Sequence, residues 1–115
     1  MANFSGTISG TITGLPEGSV SINVTLTNAS APGQRDLITT ATTAAALTIP
    51  ANTLFILIIP PAGNTVTPFI CGSAIGTGTT LHPTTPSLIP VVSASSSCFL
   101  GSLVSAITGA QVDYI

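Results

Sequence analysis

Strict alternation between apolar or glycine residues and hydroxyl residues opens the chain and limits its fold more than any other feature. Between residues 4 and 14, alternate positions hold Phe, Ile and Gly, and the positions between them hold Ser and Thr. Residues two apart share a face of a β-strand but not of a helix. The segment therefore predicts a strand. A second alternating run, with Val20, Ile22, Val24 and Leu26 on one side, predicts a further strand that is half buried.

Turn signals separate these strands from further extended segments. Pro16 and Gly18 mark one turn, and Pro32-Gly33 fits the centre of a type II turn. The apolar run 54–59 predicts a strand buried on both faces, because it is far shorter than the roughly 20 residues of a membrane-spanning helix. About eight short strands with this spacing indicate an all-β fold. We predict one antiparallel β-sandwich domain over residues 1–115, with residues 1–14 as an N-terminal contact strand or arm.

The scarcity of charge limits the partners of the chain. It has one Lys or Arg and three Asp or Glu in 115 residues, of which 44% are hydrophobic. A typical domain is about one-quarter charged. With a net charge of -2 there is no basic stripe to neutralise nucleic-acid phosphates or anionic lipid. We therefore expect neither a nucleic-acid nor a membrane partner. The first residues also lack the basic and apolar regions of a secretory signal.

Candidate acid–base groups are equally few. His82 is the single imidazole, and no serine lies in the G-x-S-x-G pattern of a nucleophile elbow. Glu17, Asp36 and Asp113 could form a carboxylate pair for glycoside hydrolysis, but a chain with one Tyr and no Trp lacks sugar-binding platforms. The sequence predicts no catalytic residues and no enzyme.

Metal and cofactor sites are not expected either. Cys71 and Cys98, with one His, do not supply the four ligands of a structural zinc site. We favour free thiols over a disulfide, since Cys is among the most buried residue types. The glycine-rich segment 72–78 superficially matches a phosphate loop, but the chain has no Lys for a Walker motif.

These exclusions favour a structural or interaction module. A sandwich has unpaired strand edges that other proteins protect with charge, so we expect this chain to cover its edges with other subunits. Arg35 beside Asp36 is either a solvated turn or part of an interface, where arginine is enriched. The candidate interface residues are Phe4, Ile8, Ile12, Arg35, Asp36 and His82.

Three segments resemble small virion proteins of tailed bacteriophages. They are residues 6–19 (GTISGTITGLPEGS), 58–64 (IIPPAGN) and 76–86 (GTGTTLHPTTP). In similar proteins the third segment often carries an acidic Asp-Thr-Gly, whereas Ile75 stands before Gly76-Thr77-Gly78 here. A contact made by that acid is therefore not expected in this chain.

The resemblance implies a jelly-roll-like head decoration, or cement, protein. Such a protein is made in the host cytoplasm and binds the outer surface of the capsid as a homotrimer that bridges capsomers of the major capsid protein. The segment 4–14 and the loop 72–86 are the candidate contact elements. The alternative is a tail, fibre or spike module that recognises a host surface glycan, which predicts exposed aromatic or polar residues at the loop tips.

Overall fold

The computed structural model describes residues 2–72, 78–91 and 98–115, and the described residues contain strands and turns but no helix. Residues 73–77 of the predicted contact loop lie outside the described residues. The strands in chain order are β1 (Ala2–Ile12), β2 (Val20–Ala31), β3 (Gln34–Thr39), β4 (Ala45–Ala46), β5 (Phe55–Ile59), β6 (Pro68–Cys71), β7 (Thr79–Thr80), β8 (Ser87–Pro90), β9 (Phe99–Ser102) and β10 (Thr108–Tyr114).

Strands β3 to β10 form a β-sandwich with jelly-roll connectivity. One four-stranded sheet has the order β3-β10-β5-β8, and the other has the order β4-β9-β6-β7. All neighbouring strands are antiparallel. Among the described strands of the sandwich, β6 and β7 are the one consecutive pair that shares a sheet, and all other consecutive strands lie in opposite sheets. These orders are those of a jelly roll built from two Greek keys. The predicted all-β sandwich of about eight strands is confirmed.

The core lies between the two sheets and is built from alternate residues. Ile56 and Ile58 of β5, Val112 and Tyr114 of β10, and Leu100 of β9 are almost completely inaccessible to solvent. Phe55, Leu57 and Ile59 point to the other side of β5 and are only half buried. The expectation that β5 is buried on both faces therefore holds for its inner face only.

Strands β1 and β2 form a separate two-stranded sheet. They pair only with each other among the described strands, and the hairpin spans residues 2–31. The radius of gyration is 15.3 Å, above the roughly 13 Å of a compact chain of similar length. The hairpin therefore projects from the sandwich.

The position of β2 corrects one prediction. Val20, Ile22 and Val24 were expected on the buried side of a half-buried strand, but they are exposed. Alternation reports that a strand has an apolar face, but it does not report what covers that face. The sandwich closes without this hairpin, so the apolar residues of β2 have no sheet above them.

Candidate interaction surface

The apolar residues of the hairpin lie on one face, which we call the apolar hairpin face. Because β1 and β2 pair in register over nine positions, residues that face each other also share a side of the ribbon. From tip to base the cross-strand pairs on this face are Ile12 with Val20, Gly10 with Ile22, Ile8 with Val24, Gly6 with Leu26 and Phe4 with Asn28. The opposite face carries only Ser, Thr and Asn between residues 5 and 27.

A large part of the apolar hairpin face is open to solvent. Six aliphatic side chains of the hairpin are between 37% and 50% exposed. They are Ile8, Ile12, Leu15, Val20, Ile22 and Val24. Burying a whole aliphatic side chain contributes about 1.5–3 kcal/mol, so covering these half-exposed groups would contribute roughly 1 kcal/mol each. A two-stranded ribbon is marginally stable by itself. The face is therefore a surface that gains stability when a partner covers it.

A tight turn closes the tip of the hairpin. The amide of Gly18 donates to the carbonyl of Leu15 at 3.1 Å, with Pro16 and Glu17 between them. Gly14 and Gly18 adopt positive φ angles of 82° and 105°, which glycine accepts without steric cost. The predicted turn is confirmed, and it leaves Leu15 exposed at the end of the apolar hairpin face.

The base of the apolar hairpin face meets the outer face of the sandwich. Phe4 and Leu26 line an open groove of about 340 Å³ together with Leu57 of β5 and Leu88 of β8. Leu57 and Leu88 are cross-strand partners on the outer side of the sheet. We call this the base groove. It makes the apolar surface continuous from the hairpin onto the sandwich.

Asn28 fixes the base of the hairpin to the sandwich. Its Nδ2 donates to the carbonyl of Asn52 at 2.7 Å, and its Oδ1 accepts the amide of Ser30 at 3.1 Å. Asn28 is buried although it lies on the apolar face. Its amide group is therefore satisfied by backbone partners, as a buried polar group requires. The alternating run recognised in the sequence ends at Leu26, and nothing in the sequence pattern indicated this contact of Asn28.

Arg35 pairs with Asp113 instead of its neighbour Asp36. Residues 35 and 113 are register partners on β3 and β10, and Nε–Oδ1 and Nη2–Oδ2 are 2.8 and 3.0 Å apart. This bidentate contact raises the pKa of the guanidinium, chiefly through the hydrogen bond to Asp113. Asp36 lies on the other side of β3 and accepts hydrogen bonds from Gln34.

The candidate interface residues fall into four places, one of which is that of Asp36 on the other side of β3 from Arg35. Phe4, Ile8 and Ile12 share the apolar hairpin face. Arg35 lies near its base, where it lines a cleft of about 440 Å³ with Phe4. His82 lies in the loop between β7 and β8, where its Nδ1 accepts the amides of residues 84 and 85 at 3.1 and 3.0 Å. This ring nitrogen is therefore occupied in ordering the loop.

The remaining candidate groups show no metal or disulfide chemistry within the described ranges. No disulfide joins Cys71 and Cys98. Cys98 is buried, and desolvation raises the pKa of its thiol. No three His, Cys, Asp or Glu residues of the described segments lie together as metal ligands. The described segments also contain no helix of the length and apolarity needed to cross a membrane.

Comparison with known proteins identifies no relative of this chain. No family model, curated protein or solved structure matches it. The fold and the surface thus define its class by themselves: a jelly-roll domain with a projecting amphipathic β-hairpin.

Proposed function

We propose that this chain is a structural protein of a tailed-bacteriophage virion, which decorates and cements the outside of the capsid. The observation that carries the proposal is the projecting hairpin whose apolar face is open. A face of this kind has no catalytic use, but it contributes binding free energy as soon as another protein covers it. The proposal therefore assigns the chain a role in assembly.

The dimensions of the hairpin support docking as its role. The apolar hairpin face runs over the nine residues of β1 from Phe4 to Ile12, which at about 3.3 Å each give a length near 30 Å, and two strands are about 10 Å wide. The apolar hairpin face therefore covers roughly 300 Å². The largest apolar patches of monomeric proteins, about 300–600 Å², are often functional. Docking this face on capsid protein would anchor each copy without any ion pair.

Three further observations favour a virion protein within the assembly class. Residues 6–19 of the hairpin and its tip are part of the resemblance to phage virion proteins. Jelly rolls recur in viral capsid proteins, which is an analogy of fold. The low charge of the chain suits a protein that buries much of its surface in neighbouring subunits.

The aromatic residues disfavour the alternative of a glycan-binding tail or spike module. Sugar sites use exposed aromatic platforms, but every aromatic side chain of this protein is buried or half buried. These side chains are Phe4, Phe55, Phe69, Phe99 and Tyr114. No loop tip among the described residues presents one.

Copy number and location on the virion test the proposal. Cryo-electron microscopy of the particle that carries this chain should show jelly-roll density on the outer surface of the head, bound to the major capsid protein. The density should account for hundreds of copies per particle. Density confined to the tail, or only a few copies per particle, would refute the cement function.

A pair of hairpin variants tests whether the apolar hairpin face anchors the protein. Replacing the facing residues Ile8 and Val24 by Thr keeps β-branched side chains but makes the face polar. We expect this double variant to bind heads that lack the protein much more weakly than the wild type does. The matched control replaces Thr11 and Thr25 on the opposite face by Ser and should bind as wild type. If both variants bound equally well, the hairpin would not be part of the contact with the head.

A further inference from the structure

We propose that Val104, in the turn between β9 and β10, is a second contact point of this protein and docks on a neighbouring subunit of the capsid protein. The inference rests on the proposed function and deepens it, because a protein that cements a shell must hold two subunits at once. The backbone strain of Val104, its exposure, its place in the fold and the small area of the apolar hairpin face support it.

Val104 occupies a strained turn. Its φ angle is 71°, a region that β-branched residues rarely adopt. Among the described non-glycine residues only Asn52 shares such an angle, and asparagine tolerates it. The amide of Ser105 donates to the carbonyl of Leu103 at 2.8 Å, so Val104 is the central residue of the rare γ-turn with positive φ. Glycine would adopt this turn without steric cost, so the valine needs another reason.

The side chain that this turn presents is apolar and open to solvent. Val104 is 96% exposed, whereas no other exposed aliphatic side chain of the described residues exceeds 71%. An open valine buries no apolar surface in the free protein, so it does not offset the strain of its backbone. Strained residues that the surrounding structure holds in place are concentrated at sites of binding and function. A contact made in the assembled state accounts for both properties of Val104.

Hydrogen bonds hold the turn in place beside a neighbouring loop. The amide of Leu103 donates to the carbonyl of Thr67 at 2.9 Å. Asn64 fixes this loop, since its Nδ2 donates to the carbonyl of Val66 at 2.8 Å. Residues 65–67 and 103–105 line an open cleft of about 370 Å³, which we call the turn cleft. A surface that is already ordered loses little entropy when a partner binds it.

The turn cleft and the base of the hairpin lie at opposite ends of the sandwich. Strand β10 begins after the turn, where Thr108 pairs with Thr39, and it ends at Tyr114, which pairs with Gln34 beside the hairpin. The six residues of β3, at about 3.3 Å each, separate the two ends by about 20 Å. Two partners can therefore bind at the two ends without competing for the same surface.

The area of the apolar hairpin face calls for a second contact. The face covers roughly 300 Å², so its docking buries about 600 Å² when the partner is counted. A specific interface buries at least about 1,000 Å². The hairpin alone is therefore too small to hold the protein on the shell, and another surface must contribute.

Charge requires a neutral partner surface at the turn cleft. No Asp, Glu, Lys or Arg occurs between residues 37 and 112, which include the whole cleft. A charged partner group would lose its hydration there without gaining an ion pair. The occupant that we assign is therefore a neutral, apolar patch of a second capsid-protein subunit.

The small size of this contact favours a shell subunit over a second copy of the chain. A contact built around one valine is too weak to join two free molecules. Once the hairpin holds the protein on the shell, binding at the turn cleft becomes an intramolecular event with a high effective concentration. The neighbouring shell subunit then gains from a contact that would not form in solution.

Two substitutions separate a contact residue from a structural one. Val104→Asn is polar but tolerates a positive φ, and Val104→Gly removes the side chain. Because the asparagine relieves the turn, it should raise the melting temperature of the isolated protein by about 3–6 °C. Both variants should bind heads that lack the protein at least about tenfold more weakly than the wild type, since they lose the burial of a valine side chain.

Leu37 supplies the matched control. It is 71% exposed on β3, away from the turn cleft, and its backbone is unstrained. Leu37→Thr removes a similar amount of open apolar surface and keeps a β-branched residue in the strand. This variant should bind heads as the wild type does.

The heat stability of decorated heads tests whether the contact reaches a second subunit. At protein concentrations that fill every site, heads decorated with Val104→Asn should open at a lower temperature than heads decorated with the wild type. The hairpin then still holds one subunit, but the link to its neighbour is lost. Equal opening temperatures at full occupancy would overturn the assignment of a second subunit.

The outcomes distinguish this inference from the proposed function. A wild type that binds no heads would refute the proposed function and this assignment with it. If the wild type decorates heads and Val104→Asn binds them equally well, only this inference is overturned. A lower melting temperature of both Val104 variants would also overturn it, because Val104 would then stabilise the free protein. If sedimentation equilibrium showed oligomers of the isolated wild type that Val104→Asn does not form, the turn cleft would contact a second copy of the chain instead.

Discussion

At the scale of single residues, close packing leaves no room for a side chain at Gly101. A Cβ at this position would lie 2.5 Å from Cζ of Phe69 and 3.1 Å from the Cα atom of Ala44. Phe69 is 1% exposed and has no free space to move into. We expect Gly101→Ala to lower the free energy of unfolding by about 1–3 kcal/mol, measured by urea denaturation.

Gly72 supplies the matched control for this prediction. An added Cβ there meets nothing within 4 Å, so Gly72→Ala should change the stability by less than about 0.5 kcal/mol. Equal stability of the two variants would contradict the packing at Gly101.

Tyr114 makes the stability of the protein depend on alkaline pH. Burial, with smaller contributions from the charges of Asp36 and Cys98, raises the pKa of this phenol to about 12. In the unfolded chain the pKa is about 10. Between these values the unfolded state releases the proton while the folded state keeps it, so unfolding becomes easier as pH rises. We expect the stability contributed below pH 10 to fall by up to about 2 kcal/mol on approaching pH 12.

Comparison with Tyr114→Phe isolates this contribution. Burial also raises the pKa of the Cys98 thiol, so its contribution to the folding stability falls with rising pH as well. Both proteins contain this thiol, and its contribution therefore cancels in the comparison. Urea denaturation from neutral pH to about pH 11 should show a steeper decline for the wild type than for the variant. Parallel declines would mean that the phenol does not titrate differently in the folded state.

At the scale of elements, the periodicity of the sequence predicted where the strands lie, but it did not predict which elements pack against them. The alternation in β1 and β2 and the turns around residues 16 and 32 were recognisable because they depend on local backbone geometry. The exposure of Val24 could not be recognised from the sequence, because it depends on whether another sheet packs on β2. The Arg35–Asp113 ion pair was also missed, because only the β3–β10 register brings together residues 78 positions apart.

The hairpin behaves as an element attached at its base. The side chain of Asn28 supplies the hydrogen bond from β2 to Asn52 in the sandwich. Losing one such bond costs about 1 kcal/mol, so Asn28→Ala should speed amide exchange in residues 4–12 and 20–27 about fivefold. Exchange in β5 and β10 should not change, because these strands unfold only with the core.

Asn23 provides the control for the hairpin experiment. It lies on the exposed polar face of the same strand, and Asn23→Ala removes an identical side chain without detaching the base. Hydrogen-exchange mass spectrometry at equal chain concentration compares the two variants. The same acceleration in both would show that Asn28 does not act as an anchor.

At the scale of the whole molecule, the near absence of charge determines how the protein associates. Its single Arg or Lys side chain, Arg35, is held by Asp113, so no cation is left to steer a partner. Association must then come from apolar surface and hydrogen bonds. Six of the nine large apolar side chains that are exposed among the described residues lie on the hairpin, and their surface continues through the base groove. The hairpin side therefore carries the largest cluster of open apolar groups.

Salt dependence follows from this arrangement. Screening weakens contacts between exposed charges, since the Debye length falls from about 10 Å at 0.1 M to about 3 Å at 1 M salt. The proposed docking through the apolar hairpin face has no such contacts, so the dissociation constant of the protein from heads that lack it should change less than about threefold between these concentrations of sodium chloride. Sulfate at equal ionic strength should tighten the docking, because it strengthens apolar burial. Binding to such heads in each salt measures both effects. The variant Arg35→Gln should associate as the wild type does. If sodium chloride or this substitution weakened the association markedly, the contact would lie at the Arg35–Asp113 pair and not on the hairpin.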